Sequence, residues 1–135
     1  MANPNISNIS SIYGNMGYVI PSSAATATTS WTYNGTTSLT GLTPAANSVH
    51  KINTIMVANT TSSAATATIA VGNNATFGSA TVIAYPAYQI SVPANATLIV
   101  VDKTTPLYIT ENQSVAAYSG TASALTFTAS FEILT

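Results

Sequence analysis

Apolar and polar residues alternate along short runs of this chain, and no long segment carries the 3.6-residue period of a helix. The pattern predicts strands at 16–20, 24–33, 49–58, 64–71, 80–85, 88–92, 97–101, 107–110, 114–119 and 125–134. In the last run Leu125, Phe127, Phe131 and Ile133 share one parity, while Thr126, Thr128, Ser130 and Glu132 share the other. That predicts a strand with one face in the core and one in water. In 49–57, Val49, Ile55 and Val57 share a parity, which leaves His50 on the other. The run 97–101 is apolar on both parities, which predicts a central strand covered on both faces.

The breaks between runs have turn chemistry. Asn34-Gly35 suits the positive φ angles of a tight hairpin. Pro86 and Pro93 cannot donate to a ladder and belong at strand edges or starts. Asp102–Pro106 and Glu111-Asn112-Gln113 join successive strands of the stretch 91–118. Many short strands at regular spacing predict an all-β protein, a single-domain antiparallel β-sandwich or jelly roll over residues 16–135. Residues 1–15 read as an extended N-terminal arm. Ile6, Ile9, Ile12 and Tyr13 lie along it at a spacing that suits neither strand nor long helix. Each large apolar side chain left in water forgoes roughly 1.5–3 kcal/mol, so these four residues are the expected contacts with a neighbouring subunit or partner. SSAATATTSW (22–31) is matched by SSAATATIAV (62–71). A duplicated strand is one reading, and chance recurrence in a chain rich in Ala, Ser and Thr is the preferred one.

Composition narrows the function classes. Charged residues make up 4% of the 135, against about 25% in ordinary soluble domains. With two lysines, no arginine and a net charge of −1, phosphate neutralisation is not available, so no nucleic-acid partner is expected. No apolar run reaches the ~18 residues of a membrane helix, so no membrane partner is expected. The first fourteen residues carry neither the basic region nor the apolar core of a secretory signal. The absence of cysteine removes disulfides and thiolate chemistry. Seven Asn-x-Ser/Thr triplets, from Asn5 to Asn112, arise from the composition. Near-zero net charge favours association.

Candidate chemistry is sparse. His50 is the only histidine; it reads as a surface or cross-strand residue, since no G-x-S-x-G elbow supplies it with a nucleophile. Asp102 and Glu111 lie on predicted turns with Lys103, where strand interiors cannot hold unpaired charge. Glu132 lies on the polar parity of the last run. These positions do not make an acid–base pair for glycoside hydrolysis, and the chain reads as non-enzymatic, with no cofactor or metal. Trp31, Tyr33, Tyr85 and Tyr88 are candidates for an exposed aromatic face that stacks sugars, although core packing is the simpler role for Trp31.

Four stretches carry a family likeness: Met1–Ile6, Val92–Leu98, Asp102–Ile109 and Ser130–Ile133. With them the chain resembles small virion structural proteins of tailed bacteriophages, particularly marine and cyanobacterial phages. Such proteins often share an M-A-N-P-N-I start, a V-P-A-x-A-T-L turn and strand, and a D-K-x-x-P-I-Y-L strand pair. Where they often have an acidic E-G-D turn, this chain has Glu111-Asn112-Gln113. The resemblance implies a capsid decoration (cement) protein on the outer head surface, a homotrimer that grips the major capsid protein or another virion protein. The alternatives are a neck, tail or fibre component, or a carbohydrate-binding sandwich for host-surface attachment.

Overall fold

The computed structural model describes residues 9–33 and 37–135. Ile6 and the Asn34-Gly35 turn lie outside the described residues. Among the described residues ten strands are present: β1 (Ile12–Val19), β2 (Ser30–Tyr33), β3 (Thr37–Thr40), β4 (Val49–Asn59), β5 (Ala65–Gly72), β6 (Val82–Val92), β7 (Thr97–Val101), β8 (Leu107–Thr110), β9 (Ser114–Ser119) and β10 (Leu125–Leu134). They form two antiparallel sheets. The seven-stranded sheet runs β3-β2-β1-β10-β4-β7, with β8 also on β4, and the three-stranded sheet runs β6-β5-β9. The protein is thus an all-β sandwich, as the alternation predicts.

The inner faces meet in one core. From the large sheet come Val19, Trp31, Ile52, Ile55, Val57, Phe127 and Phe131, and from the small sheet Ala67, Ile69, Val92, Val115 and Ala117. The small residues of β5 and β9 let the sheets approach, and the large aromatics of β2 and β10 fill the space this leaves. Two polar side chains tie the sheets together. The Trp31 indole donates to the Val115 carbonyl at 3.2 Å. At the opposite side Asn59, at the end of β4, donates to the carbonyls of Ser63 and Val92, each at 2.9 Å. Its Oδ1 accepts from the Thr61 amide and hydroxyl. Asn59 begins one of the Asn-x-Ser/Thr triplets, and burial gives it this structural role instead.

Bulges in three places rearrange the predicted pattern. Ser130 of β10 pairs with Thr54, but the next residue, Phe131, pairs with Ile52, so Asn53 is the extra residue. The bulge flips the parity of β4, turning Ile52 and His50 inward. A second shift, between Ile55 and Met56, places Val100 as the extra residue on β7. A third set lies on β6, against β5. β7 itself is not central. It lies on the edge of the large sheet with Ile99 61% exposed, because β7 and β8 share one edge of β4 end to end. The two runs predicted at 80–85 and 88–92 are one strand, β6, which carries Pro86 on a sheet edge.

Residues 12–15 of the expected arm belong to the sheet. β1 pairs with β10 from Ile12↔Leu134 onward, and the Ser10 and Ser11 amides donate to the Thr135 carbonyl. Ile12 and Tyr13 remain exposed, but as part of a paired strand. The SSAATAT repeat adopts two structures. Ala65–Thr68 lies in β5, whereas Ala25–Thr28 is irregular and touches β9 through an isolated bridge, Thr28↔Ala117. The copies flank β9 from opposite sides and are not equivalent strands, in keeping with recurrence by composition.

Asn59→Ala removes four hydrogen bonds at a buried site, leaving the Thr61 amide without its Asn59 acceptor and the Val92 carbonyl without its Asn59 donor. The expected loss is at least about 2 kcal/mol of unfolding free energy, read by denaturant titration. Asn112→Ala, on an exposed turn, is expected to change it by no more than about 0.5 kcal/mol.

Candidate functional site

Two surfaces of the sandwich gather exposed apolar or aromatic side chains. The first is a trough on the outer face of the small sheet, with a volume of about 230 Å³. Its wall is Tyr85 and Tyr88, three residues apart on β6. In a regular strand such a pair points to opposite faces. Here β6 carries extra residues against β5: Val71 pairs with Ala84, Ile69 with Ala87 and Ala67 with Ile90. Tyr85 lies in the first of these bulges and Tyr88 in the second. The irregularities bring both rings to one side, with centroids 4.9 Å apart and edge to face. Gln89 takes a left-handed backbone, φ 48°, in the second bulge, and its amide donates to the Thr68 hydroxyl at 2.8 Å.

Tyr118 of β9 stands across the trough, opposite Thr68 of β5 in register. Its ring packs edge-on against Phe77 at 6.4 Å. Phe77 lies in a 3₁₀ turn (Phe77–Ser79) that covers Ala70 and Ala116 on the outer face of the small sheet. Burial pushes the Tyr118 hydroxyl pKa up, and nearby Tyr85 adds to this, so Tyr118 is a neutral hydrogen-bonding group near pH 7. Thr66 and Thr68 form the floor, and no lining residue is an acid, a lysine or a histidine.

The second surface is the outer face of the seven-stranded sheet. One cross-strand row reads Thr32, Tyr18, Thr128, Met56, Ile99 from β2 to β7. The next but one reads Gly14, Glu132, Lys51, Tyr108. Tyr18, Met56, Ile99 and Tyr108 are exposed, with Met16 and Ile12 beside them on β1. Lys51 and Glu132 pair at 3.3 Å, the one ion pair among the described residues. The face is thus apolar and hydroxyl-bearing, with its two charges matched to each other.

The aromatic face expected from Trp31, Tyr33, Tyr85 and Tyr88 is corrected to half its members. Trp31 is fully buried, and Tyr33 is partly buried, packing on Phe131 and donating its hydroxyl to Asn15 at 2.6 Å. Both result from β2 turning its odd positions inward. The sequence reading missed Tyr118, Thr66 and Thr68, because only pairing across β5 brings them to the tyrosines of β6. Of the four expected arm contacts, Ile9 is half-buried, Ile12 and Tyr13 are exposed, and Ile6 lies outside the described residues.

The other candidates have structural roles. His50 is 2% exposed, not at the surface. Its Nδ1 bonds the Leu42 carbonyl at 2.7 Å, and its ring lies 5.1 Å from that of Phe131. Leu42 is buried with φ 48° and comes directly after Gly41 at φ 64°, so His50 steadies a turn that a leucine disfavours. Glu111 is 8% exposed rather than solvated. Its turn folds onto the loop before β4, where Oε2 accepts from the Asn47 amide at 3.2 Å and Oε1 has no protein partner. Asp102 remains at an exposed turn, with its carboxyl pKa lowered by hydrogen bonds from the Thr104 side chain and amide. Among the described residues no three His, Asp or Glu side chains gather to hold a metal, and no helix is long and apolar enough to cross a membrane. Comparison with protein-family models, with curated proteins and with solved structures finds no match.

Burial lowers the His50 pKa below its ordinary 6.5, against a smaller opposing effect of the Leu42 carbonyl. The unfolded chain therefore binds a proton at a pH where the folded one does not. Stability is expected to be full above the unfolded value of about 6.5 and to fall as pH drops below it, by up to about 1.4 kcal/mol per unit. Unfolding midpoints from about pH 7.5 to 5.5 read this slope, and His50→Gln, which keeps a donor for Leu42, is expected to flatten it.

Proposed function

We propose that this protein is a non-enzymatic structural component of a tailed-phage particle. In this reading it is a decoration protein that binds the outer head surface as an oligomer, as a homotrimer on the major capsid protein. The observation that carries the reading is the outer face of the seven-stranded sheet. Tyr18, Met56 and Ile99 are exposed in one cross-strand row on β1, β4 and β7, with Met16 and Tyr108 nearby and the two charges of the face paired together, and they form a surface that gains by being covered. A sheet face stiffened by its own ladder keeps its shape on binding, so little ordering cost opposes association. Oligomerisation adds avidity, because linked modules meet a repeating lattice at high effective concentration.

The resemblance supports the same reading. Val92–Leu98 leads into β7, Asp102–Ile109 leads into β8, and Ser130–Ile133 lies in β10. All three strands hydrogen-bond to β4. Three of the four motifs that carry the likeness therefore adjoin β4, next to the edge of this face, while Met1–Ile6 lies outside the described residues.

Quantitative mass spectrometry of purified particles from a phage encoding the protein tests the location. A copy number comparable to that of the major capsid protein is expected. A few per cent of that number assigns the protein to neck, tail or fibres, and absence from particles overturns the reading. The face is tested separately by Met56→Lys and Ile99→Lys. Both positions are exposed, so folding is expected to survive. Native mass spectrometry and particle binding are expected to show at least a tenfold weakening, about 1.4 kcal/mol, in oligomerisation or in attachment.

A further inference from the structure

We propose that the trough on the small sheet is a binding site for a single neutral hexopyranose ring, such as the terminal sugar of a surface glycan. This is a separate claim from the assembly face, which lies on the opposite side of the sandwich and shares no residue with it.

Four features select this ligand. The first is the placement of the aromatic rings. Edge strands commonly use bulges and prolines to deter pairing, and β6 has both. Its bulges also turn Tyr85 and Tyr88 to one side, with Tyr88 60% exposed. A large aromatic pair held in the open at an edge costs solvation unless a flat apolar partner covers it. The C–H face of a pyranose is such a partner.

The second is the polarity of the floor. The Thr68 hydroxyl oxygen already accepts the Gln89 amide, so its own hydrogen is left to donate. Thr66, the Gln89 carboxamide and the Tyr118 hydroxyl add both donors and acceptors within the same trough. Sugar hydroxyls donate and accept, and they suit such a mixed set.

The third is charge. With no ionised group in the lining, an acidic sugar or a phosphate would be desolvated without compensation. The fourth is size. At about 230 Å³ the trough falls below the ~300 Å³ at which sites for drug-sized ligands begin. A proline-rich peptide, which rises about 3.1 Å per residue as an extended helix, needs a longer groove. Ala25 and Gly120 line the trough with the threonines, and the Gly120 backbone packs closely on Thr66. A Cβ on Gly120 would fall 2.1 Å from the Thr66 hydroxyl oxygen.

The test is a titration of the intact ¹⁵N-labelled chain with the methyl glycosides of glucose, galactose and mannose, monitored by amide chemical shifts. Titration to about 50 mM covers the dissociation constants of roughly 1–10 mM expected for a ligand of about a dozen heavy atoms. At least one glycoside is expected to give saturable shifts centred on Thr68, Gln89 and Gly120. Tyr88→Ala is expected to weaken binding about tenfold, by loss of one stacking wall, with shifts elsewhere unchanged. Tyr118→Phe, which keeps the ring, separates the hydroxyl's contribution from packing. Methyl glucuronide and a proline-rich peptide serve as competitors by class. No saturable shift with any neutral glycoside, equal affinity in Tyr88→Ala, or preferential binding of the acid or the peptide each overturns the proposal. The readout uses free protein, so particle assembly and sugar binding succeed or fail independently.

Discussion

The outer edge of β9 is where this sandwich is closed. β5 pairs one side of the strand. The other side accepts chain that belongs to the large sheet's approach: the Ala25 amide donates to Ser119, Thr28 and Ala117 exchange two bonds, and the Val115 amide donates to Gly41 at 2.6 Å. Gly41 can reach this position because it has no side chain. A Cβ there would lie 2.6 Å from that of Ser114, and its φ of 64° is left-handed. Trp31 then adds its indole N–H to the Val115 carbonyl from the same side. A small-residue strand is needed for these approaches, which explains why β9 reads SVAAYS and holds neither charge nor a large aliphatic beyond Val115. Leave that edge open and the small sheet would have two exposed edges, with the core uncovered along one flank.

The parts of the fold legible in sequence are those governed by period two. The alternation in 125–134 places Phe127 and Phe131 in the core and Thr126, Thr128 and Glu132 outside it, and burial alternates accordingly as far as Glu132, after which Ile133 is half-buried and Leu134 buried. Strands 97–101, 107–110, 114–119 and 125–134 start and stop where the turn residues say they should. The departures trace to bulges, which leave no periodic signature. One extra residue at Asn53 is enough to exchange the inner and outer sets of half of β4, and so to bury His50. The same device on β6 makes Tyr85 and Tyr88 neighbours, where simple alternation would separate them. β3 gives no signal of its own, because Thr37–Thr40 is short and mostly polar.

The charges obey a consistent logic. Asp102 and Lys103 stay in water at the step where the chain passes from β7 to β8 along one edge of β4. Lys51 and Glu132 face each other across the β4–β10 ladder, on a surface where such a pair is worth about 0–1 kcal/mol. Only Glu111 enters the interior, and there it has a single amide on one oxygen. The stability of the protein therefore rests on packing and neutral hydrogen bonds. Salt is expected to matter little to its folding, since there are few charges to screen. The outer face of the large sheet and the trough of the small sheet carry no net charge for the same reason, one by its exposed aliphatics and the other by its tyrosines and threonines.

The recurrence of SSAATAT on both sides of β9 poses a problem of assembly in time. Two segments of identical sequence are made before the strand they both flank, so each waits for the same late partner. Their own seven residues cannot tell the chain which side to take. The decision passes to the residues after each copy: Thr29-Ser30-Trp31 in one case, Ile69-Ala70-Val71 in the other. An aliphatic pair at alternate positions continues a strand into the core, whereas the indole needs the wider gap under the large sheet. Closure of long loops makes such pairings slow, and a transient exchange of the copies would leave Trp31 without its cavity. Trp31, fully buried and bonded to the Val115 carbonyl, is thus the residue that most distinguishes the first copy's surroundings from the second's.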